Sequence, residues 1–477
     1  MGEEQATQAQ QQWAALRVRD RIKVLARARS LLAENARDLI FAEDSSGSRV
    51  PLDSLSSEVL PLLAAMRYLE TAAERLLRPR KPNRRGLPLW MSGVHSEVLR
   101  VPLGTVLVIG PSNYPLFLPG VQTVQAFAAG NAVIWKPGLG GAAIANRFAA
   151  ILQRAGLPDG LLRVTDESVA AAQQAIASGV NKVFLTGSAT SGRALLHQLA
   201  DHLTPAVVEL SGCDAVIVLP GADLGRVVRA ISFGMRLNGS CTCMAPRRLF
   251  YVGASAQQTQ QLVQQLRQAF RAIAPVALAQ GTRQRLSRLL QQAADSGAMI
   301  HQDETEGSVR PILVENGSAA MAIAQEDIFA PVITLIPAAT IDEVLAAEKQ
   351  CPFGLTASIF GREDECRTLA NRLEVGSVFI NDLIFPSADP RVPFSGRRLS
   401  GFGATQGAEG LLEMTAVKTV SVQRSSKLSH YGEPRPAQVG LLLAVVRSMY
   451  ASGFARRLGG IVQTIREGRQ LRRNGEA

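Results

Sequence analysis

Between residues 105 and 210, five short apolar runs recur at helix-length intervals: TVLVIG (105–110), AVIWK (132–136), LLRVT (161–165), KVFLTG (182–187) and AVVEL (206–210). Antiparallel neighbours can be joined by a tight hairpin, but parallel neighbours need a crossover, usually a helix. Strand, helix, strand at this spacing therefore predicts parallel βαβ units. Several of the runs end in Gly, Ser, Thr or Pro, and open parallel sheets bind ligands at that carboxyl edge. A second α/β stretch extends from 214 to about 395, with AVIVL, RLFYV, PVITLI, ASIFG and SVFIN as its strands. Upstream, helical spacing of Trp13, Leu16, Ile22, Leu25, Leu31, Leu32, Leu39 and Ile40 predicts two amphipathic helices over 8–43, and another helical stretch covers 55–77. RKPNRRG (80–86) breaks that pattern. LPLWMSGVHSEVLRVPLG then reads as an antiparallel hairpin turning at Ser92-Gly93.

At ~100–200 residues per domain, 477 residues hold two to four domains. A hydrophobic fraction of 47% excludes a disordered chain. Aromatic residues are few and no basic run is interleaved with them, which argues against a nucleic-acid reader. Five cysteines, an odd number, make no disulfide framework, so reduced thiols in a cytoplasmic setting are expected. The N-terminus has no apolar signal core, and Ala6 stands where N-myristoylation wants Ser or Thr. No run of 18 apolar residues occurs. The net charge of +11 is uneven, since residues 431–477 carry eight arginines against three acids.

The segment NGSCTCMAPRR (238–248) sets Cys241 and Cys243 one residue apart. A structural zinc site wants four ligands, and no second Cys or His pair lies nearby, so no metal is expected. A Cys-x-Cys disulfide is strained. Taken alone, the pair reads either as two small buried hydrophobes or as a thiol nucleophile with a neighbour. Three other chemical groups sit just past strands: Asn113 in GPSNYP, Lys136 in WKPG and Glu209 in VVELSG, the last 34 residues before Cys243. Each has a plain reading on its own, as a turn residue or a solvated strand end.

Together and in this order, these motifs resemble the aldehyde dehydrogenase superfamily. The resemblance spans about 100–424 and includes PLGTVLVIGPSNYP, AAGNAVIWKPG, VFLTGSATSG, VELSG, NGSCTCMAPRR, EDIFAPV, CPFGLTASIFG, GSVFIN, PFSGRRLSGFG and TAVKTV. It implies an α/β aldehyde dehydrogenase-like fold. The cofactor domain is Rossmann-like (1–83 and 103–211), followed by an α/β catalytic domain (212–404) and a small β oligomerisation element (84–102 and 405–424). Residues 425–437 read as a linker and 438–477 as a basic amphipathic tail.

The resemblance implies Cys243 as nucleophile, Asn113 with the Cys243 N–H as oxyanion hole, and Glu209 as the base that activates water. For the cofactor it implies Lys136 at the adenosine ribose, Gly187 and Ser188 at the pyrophosphate, Asp327 and Phe329 at the nicotinamide end, and Pro111 and Ser112 lining the same site. The substrate is then a small-molecule aldehyde, and a homodimer or homotetramer is expected.

Departures from the family pattern are Leu139 and Asp327 where relatives carry Glu, Ser112 for a common Trp, Ser211 and Cys213 for Gly and Lys, and Cys241 for Gln. Leu139 removes a carboxylate that repels a 2′-phosphate, so NAD or NADP is expected. Cys241 is either an inert neighbour or a redox partner of Cys243. The tail supports peripheral contact with an anionic membrane or packing on protein, and a hydrophobic aldehyde accords with the former. Two other readings stay open: a CoA-acylating enzyme, which the presence of Glu209 disfavours, and a non-catalytic scaffold at a lipid surface.

Overall fold

The computed structural model describes residues 3–43, 50–83, 85–303, 307–426, 431–433, 435–436 and 438–473. Parts of the 425–437 linker and the end of the tail lie outside these residues. Two compact units divide the chain: Met1–Arg80 with Val98–Lys418, and Lys81–Glu97 with Thr419–Ala477.

In the first unit the N-terminal layer holds three helices over the predicted two, Glu3–Ala15, Val18–Glu34 and Ala36–Glu43. The chain is extended at Arg17, and Asn35 ends the middle helix by turning its side-chain amide onto the Leu31 carbonyl at 2.7 Å. Asn favours such local bonds over helix continuation. Pro51–Ser54, a π-helical turn Leu55–Val59 and Leu60–Leu77 form the next stretch.

Strand β1 (Val94–Pro102) leads into β2 (Thr105–Ile109), β3 (Ala132–Lys136), β4 (Leu162–Val164), β5 (Lys182–Gly187) and β6 (Ala206–Leu210). From β2 to β6 the strands make one parallel sheet in the order β4-β3-β2-β5-β6. Helices Phe117–Ala129, Ala142–Arg154, Val169–Ala177 and Ala189–Ala200 are the crossovers. Alternate residues of β2 enter different cores. Val106 and Val108 join Trp13, Phe127, Trp135 and Phe148 on one face, whereas Leu107 and Ile109 join Ile176, Leu185 and Leu199 on the other. That double burial is why these strands read as unbroken apolar runs. The chain fills one side of β2 with β3 and β4, then returns to place β5 on its other side. The carboxyl ends of β2 and β5 thus flank the point where strand order reverses, the expected crevice for a ligand.

The second sheet is built from β7 (Asp214–Val218), β8 (Pro246–Val252), β9 (Met299–His301), β10 (Ile312–Glu315), β11 (Val332–Ala338), β13 (Thr356–Phe360) and β14 (Ser377–Ile380), while the short β12 (Phe353–Gly354) and β15 (Arg397–Arg398) pair with each other. Its order is β14-β13-β7-β8-β11-β10-β9, antiparallel only at the β9 edge. A return segment, β16 (Gly401–Phe402), adds an antiparallel edge to β6 of the first sheet.

The second unit corrects the predicted hairpin at 84–102. A 3-10 turn, Leu89–Met91, precedes β1, and the partner of β1 is the distant β17 (Thr415–Gln423). Within this unit the Ser96 and Ser421 hydroxyls lie 2.8 Å apart and the Arg424 N–H donates to Gly93 O. The tail folds as two helices, Gln438–Tyr450 and Phe454–Arg473. The second runs through Gly459-Gly460 because Gly460 is a contact point: a Cβ there would lie 2.4 Å from Ser448 N. Of Leu442, Val445 and Met449 on the first, only Leu442 is exposed. The exposed stripe is Val439, Leu442, Leu443, Val446 and Tyr450, with Phe454, Leu458, Ile461, Val462 and Ile465 on the next helix. Among the described residues no helix is long and apolar enough to cross a membrane.

Candidate active site

At the carboxyl edge of the first sheet, a cavity of about 980 Å³ gathers all ten residues singled out from the sequence. The loops that bring them there are tied across long sequence separations. After β2 the chain turns through Pro111, Ser112 and Asn113. The Asn113 side-chain amide donates to Cys241 O at 2.9 Å, and the Asn238 amide donates back to Asn113 O at 2.9 Å. Tyr114 and Thr242 hydroxyls meet at 2.7 Å. The helix after this loop is seated by the buried Glu58, whose carboxylate accepts from the N–H groups of Leu116 and Phe117 at 2.9 and 2.6 Å. A carboxylate at a helix N-terminus satisfies orphan donors and complements the helix dipole.

Glu209, the penultimate residue of β6, is almost fully buried beside the half-buried Cys243. The thiol donates to Glu209 Oε1 at 3.5 Å, and Thr186 Oγ1 on β5 donates to Oε2 at 3.3 Å. Gly212 permits this approach, since a Cβ there would lie 2.5 Å from Cys243 O. Burial pushes the Glu209 carboxyl up to about 7, against the pull of its two hydrogen bonds. Burial, and then the neighbouring carboxyls of Glu209, Asp214 and Asp327, push the Cys243 thiol well above its ordinary value. The sulfur therefore rests protonated, with a base in contact whose own pKa suits proton transfer near neutrality.

On the cofactor side, Lys136 ends β3. Its pKa is lowered by burial, and Glu167 and Asp166 oppose that shift. Glu167 holds the turn beyond Lys136 by accepting from Gly140 N and Ala142 N at 2.9 and 2.8 Å. Leu139 lines the cavity and is strongly exposed. Ser188 caps helix Ala189–Ala200 by accepting from Ser191 N at 3.1 Å, and Gly187 precedes it. The N–H groups of that helix end suit a phosphate. Asp327 and Phe329 enter on the loop before β11. Burial lifts the Asp327 carboxyl to about 6, and its buried Oδ1 has no hydrogen-bond partner among the described residues. An orphaned acceptor on the cavity wall is satisfied by a hydroxyl donor such as a ribose, so the residues fit a dinucleotide.

Sequence reasoning passed over Thr186, Asn238 as a bonded partner, and Glu58. Asn238 had a local signal, being part of the cysteine loop, but Glu58 and Thr186 act through partners in other segments.

A model of the aldehyde dehydrogenase family matches residues 3–420. The chain is 28% identical over 415 residues to a 4,4'-diapolycopene aldehyde oxidase of Methylomonas sp, covering 84% of this chain and 77% of that protein. It is 29% identical to a probable coniferyl aldehyde dehydrogenase of Pseudomonas aeruginosa, covering 84% and 86%. A crystal structure of a Mycobacterium tuberculosis aldehyde dehydrogenase complexed with NAD+ superimposes with a TM-score of 0.79 at 25% identity, covering 87% of this chain and 88% of that one. A putative aldehyde dehydrogenase from Burkholderia cenocepacia gives 0.78 at 27% identity, covering 88% and 92%. A family model spanning nearly the whole chain, over a fold shared with those solved structures, leads to one conclusion: the chain belongs to the aldehyde dehydrogenase family.

Proposed function

We propose that the chain oxidises a hydrophobic aldehyde to a carboxylic acid, with Cys243 as nucleophile and Glu209 as base. The observation that carries this reading is the Cys243 thiol in contact with Glu209 inside the cavity that also holds the cofactor-side residues. Glu209 takes the thiol proton as sulfur attacks the carbonyl carbon, forming a C–S bond and a thiohemiacetal oxyanion. Asn113 and the Cys243 N–H stabilise that oxygen, each such donor being worth ~3–4 kcal/mol. NAD or NADP, when bound, would supply the acceptor for the hydride leaving the thiohemiacetal carbon, which would become a thioester. Glu209 gives the thiol proton up to solvent and, ionised again, takes a proton from water; the hydroxide adds to the thioester carbon, the C–S bond breaks, and the leaving thiolate takes that proton from Glu209 as the acid is released. Lys136, Gly187, Ser188, Pro111, Ser112, Asp327 and Phe329 would hold the cofactor, in a division of labour between a cofactor domain and a catalytic domain. Leu139, with no charge to oppose a 2′-phosphate, supports use of both cofactors. The names of the relatives acting on diapolycopene and coniferyl aldehydes support a hydrophobic substrate.

The test is reduced-cofactor formation from a medium-chain aldehyde without CoA. Turnover is expected from the unmodified protein and none from Cys243→Ala. A strict CoA requirement would replace the hydrolytic reading with the acylating one.

Further partners follow from exposure. A two-stranded ribbon is marginal alone, and β17 leaves Val420 and Val422 exposed. This supports a homodimer or homotetramer formed by pairing with further copies. The last helix bears one apolar stripe flanked by Arg457 and Arg466, which supports peripheral contact with an anionic surface. Free thiols at all five cysteines support a cytoplasmic setting. Light scattering is expected to give an oligomeric mass, and sedimentation salt-sensitive retention on phosphatidylglycerol vesicles.

A further inference from the structure

Three consecutive residues before the cysteine pair hold left-handed backbone conformations: Asn238 (φ 49), Gly239 (φ 59) and Ser240 (φ 62). Glycine takes this region freely and Asn tolerates it, but Ser has no intrinsic reason to. What holds Ser240 there is Arg247. This side chain enters from β8 and is 2% exposed. It donates Nη1 to Ser240 Oγ at 2.9 Å and Nη2 to Ser240 O at 2.8 Å, gripping side chain and main chain together. Nη1 also donates to Ala330 O at 2.6 Å. Ala330 follows Phe329 on the loop that carries Asp327. The guanidinium thus donates to one hydroxyl and two carbonyls, and the charge of Asp327 favours its ionised form against burial. Burying an arginine on such acceptors is costly unless the geometry is used. A planar fork holds its donors at fixed, separated positions, which a single ammonium nitrogen does not.

We infer that Arg247 is a positioning residue: it locks Ser240 in its left-handed conformation and so fixes the Cys243 thiol relative to the loop bearing Asp327 and Phe329. Cys243 lies three residues beyond Ser240, so a relaxed Ser240 rotates the segment that aims the thiol at Glu209. The second grip, on Ala330, makes the clamp join two walls of the cavity. This inference rests on the reading of Cys243 as the nucleophile.

The test compares Arg247→Lys, Ser240→Gly and the double variant. Lysine keeps the charge in the site while losing the fork. Misplacement of a reacting group on the order of an ångström costs about 100-fold, so Arg247→Lys is expected to lower kcat about 10- to 100-fold with aldehyde KM little changed. Glycine adopts φ 62 without a clamp, so Ser240→Gly is expected to be near wild type. In that background, Arg247→Lys should cost clearly less than it does alone, the remaining loss being that of the grip on Ala330, so the two changes are non-additive. A second readout needs no turnover: the rate at which iodoacetamide alkylates Cys243, followed by peptide mass spectrometry. It should change in Arg247→Lys and return toward the wild-type rate in the double variant. Because alkylation reports loop geometry even in an enzyme with a different nucleophile, it separates failure of the clamp from failure of the Cys243 assignment. An equal kcat loss in both backgrounds, or unchanged kcat and alkylation in Arg247→Lys, overturns the inference. Should Arg247→Lys fail to fold, Ser240→Ala, which removes only the hydroxyl grip, carries the same expectation in smaller size, and no change in its kcat or alkylation rate overturns it.

Discussion

Cys243 and Glu209 illustrate how burial, with neighbouring carboxyls, sets a resting state. A thiol with three carboxyls around it is held protonated, and the carboxyl nearest to it is lifted to about 7. Glu209 works as a base only when ionised, so kcat/KM is expected to rise with pH and level off above about 7. Glu209→Gln should abolish that inflection and lower turnover about 10²–10⁴-fold, the usual scale of a lost general base. Hydroxylamine, which attacks a thioester without a base, should bypass only the hydrolytic half-reaction in Glu209→Gln, giving hydroxamate no faster than the base-free thiol still acylates, and should give none in Cys243→Ala. A rate profile that keeps its inflection in Glu209→Gln would assign the titration elsewhere. The sequence brings these two residues together only through the resemblance that their motifs carry, since alone a strand-end Glu and a cysteine pair each have a plain reading. The direction of the thiol's shift was not legible, because it depends on where Asp214 and Asp327 fall in space, and neither is near Cys243 in the chain.

At the level of elements, the same division separates what sequence reveals from what it hides. The strands from TVLVIG to AVVEL were legible because two-sided burial leaves a local mark on composition. The partner of β1 was not, since β17 lies more than three hundred residues away and a lone strand carries no record of its mate; the local Ser92-Gly93 signal favoured a hairpin that long-range pairing overrode. Glu58 is a similar case. It lies on a helical stretch that periodicity marks only as amphipathic, yet its carboxylate seats the helix Phe117–Ala129, which begins four residues after Asn113. Glu58→Ala leaves two buried N–H donors without that acceptor, and unsatisfied buried donors cost about 1–3 kcal/mol each. Thermal melting should show a destabilised protein, and kcat should fall with it because the Asn113 loop loses its anchor. Glu58→Gln, which keeps an acceptor oxygen, should recover much of both.

The whole molecule carries a set of buried carboxyls whose pKa values all move the same way. Burial lifts Asp327 to about 6, Glu209 to about 7 and Asp214 to about 8. Asp214 is the highest even though its carboxylate accepts from Thr356 N and Thr356 Oγ1 at 3.1 and 2.6 Å. In the unfolded chain these groups ionise near 4. Between that value and the folded one, the native protein binds protons that the unfolded chain has released. Stability therefore falls as pH rises through the window from about 4 to about 8, and it levels off once the native carboxyls have ionised too. Asp214 contributes at the top of that window, where cofactor reduction is commonly measured. Asp214→Asn keeps an acceptor oxygen toward Thr356 and cannot ionise. Its melting temperature relative to wild type should thus climb with pH and reach its largest gain near pH 8. A constant offset between the two proteins from pH 5 to pH 8 would mean that Asp214 is already ionised in the folded state, with Arg248 close enough to hold its charge.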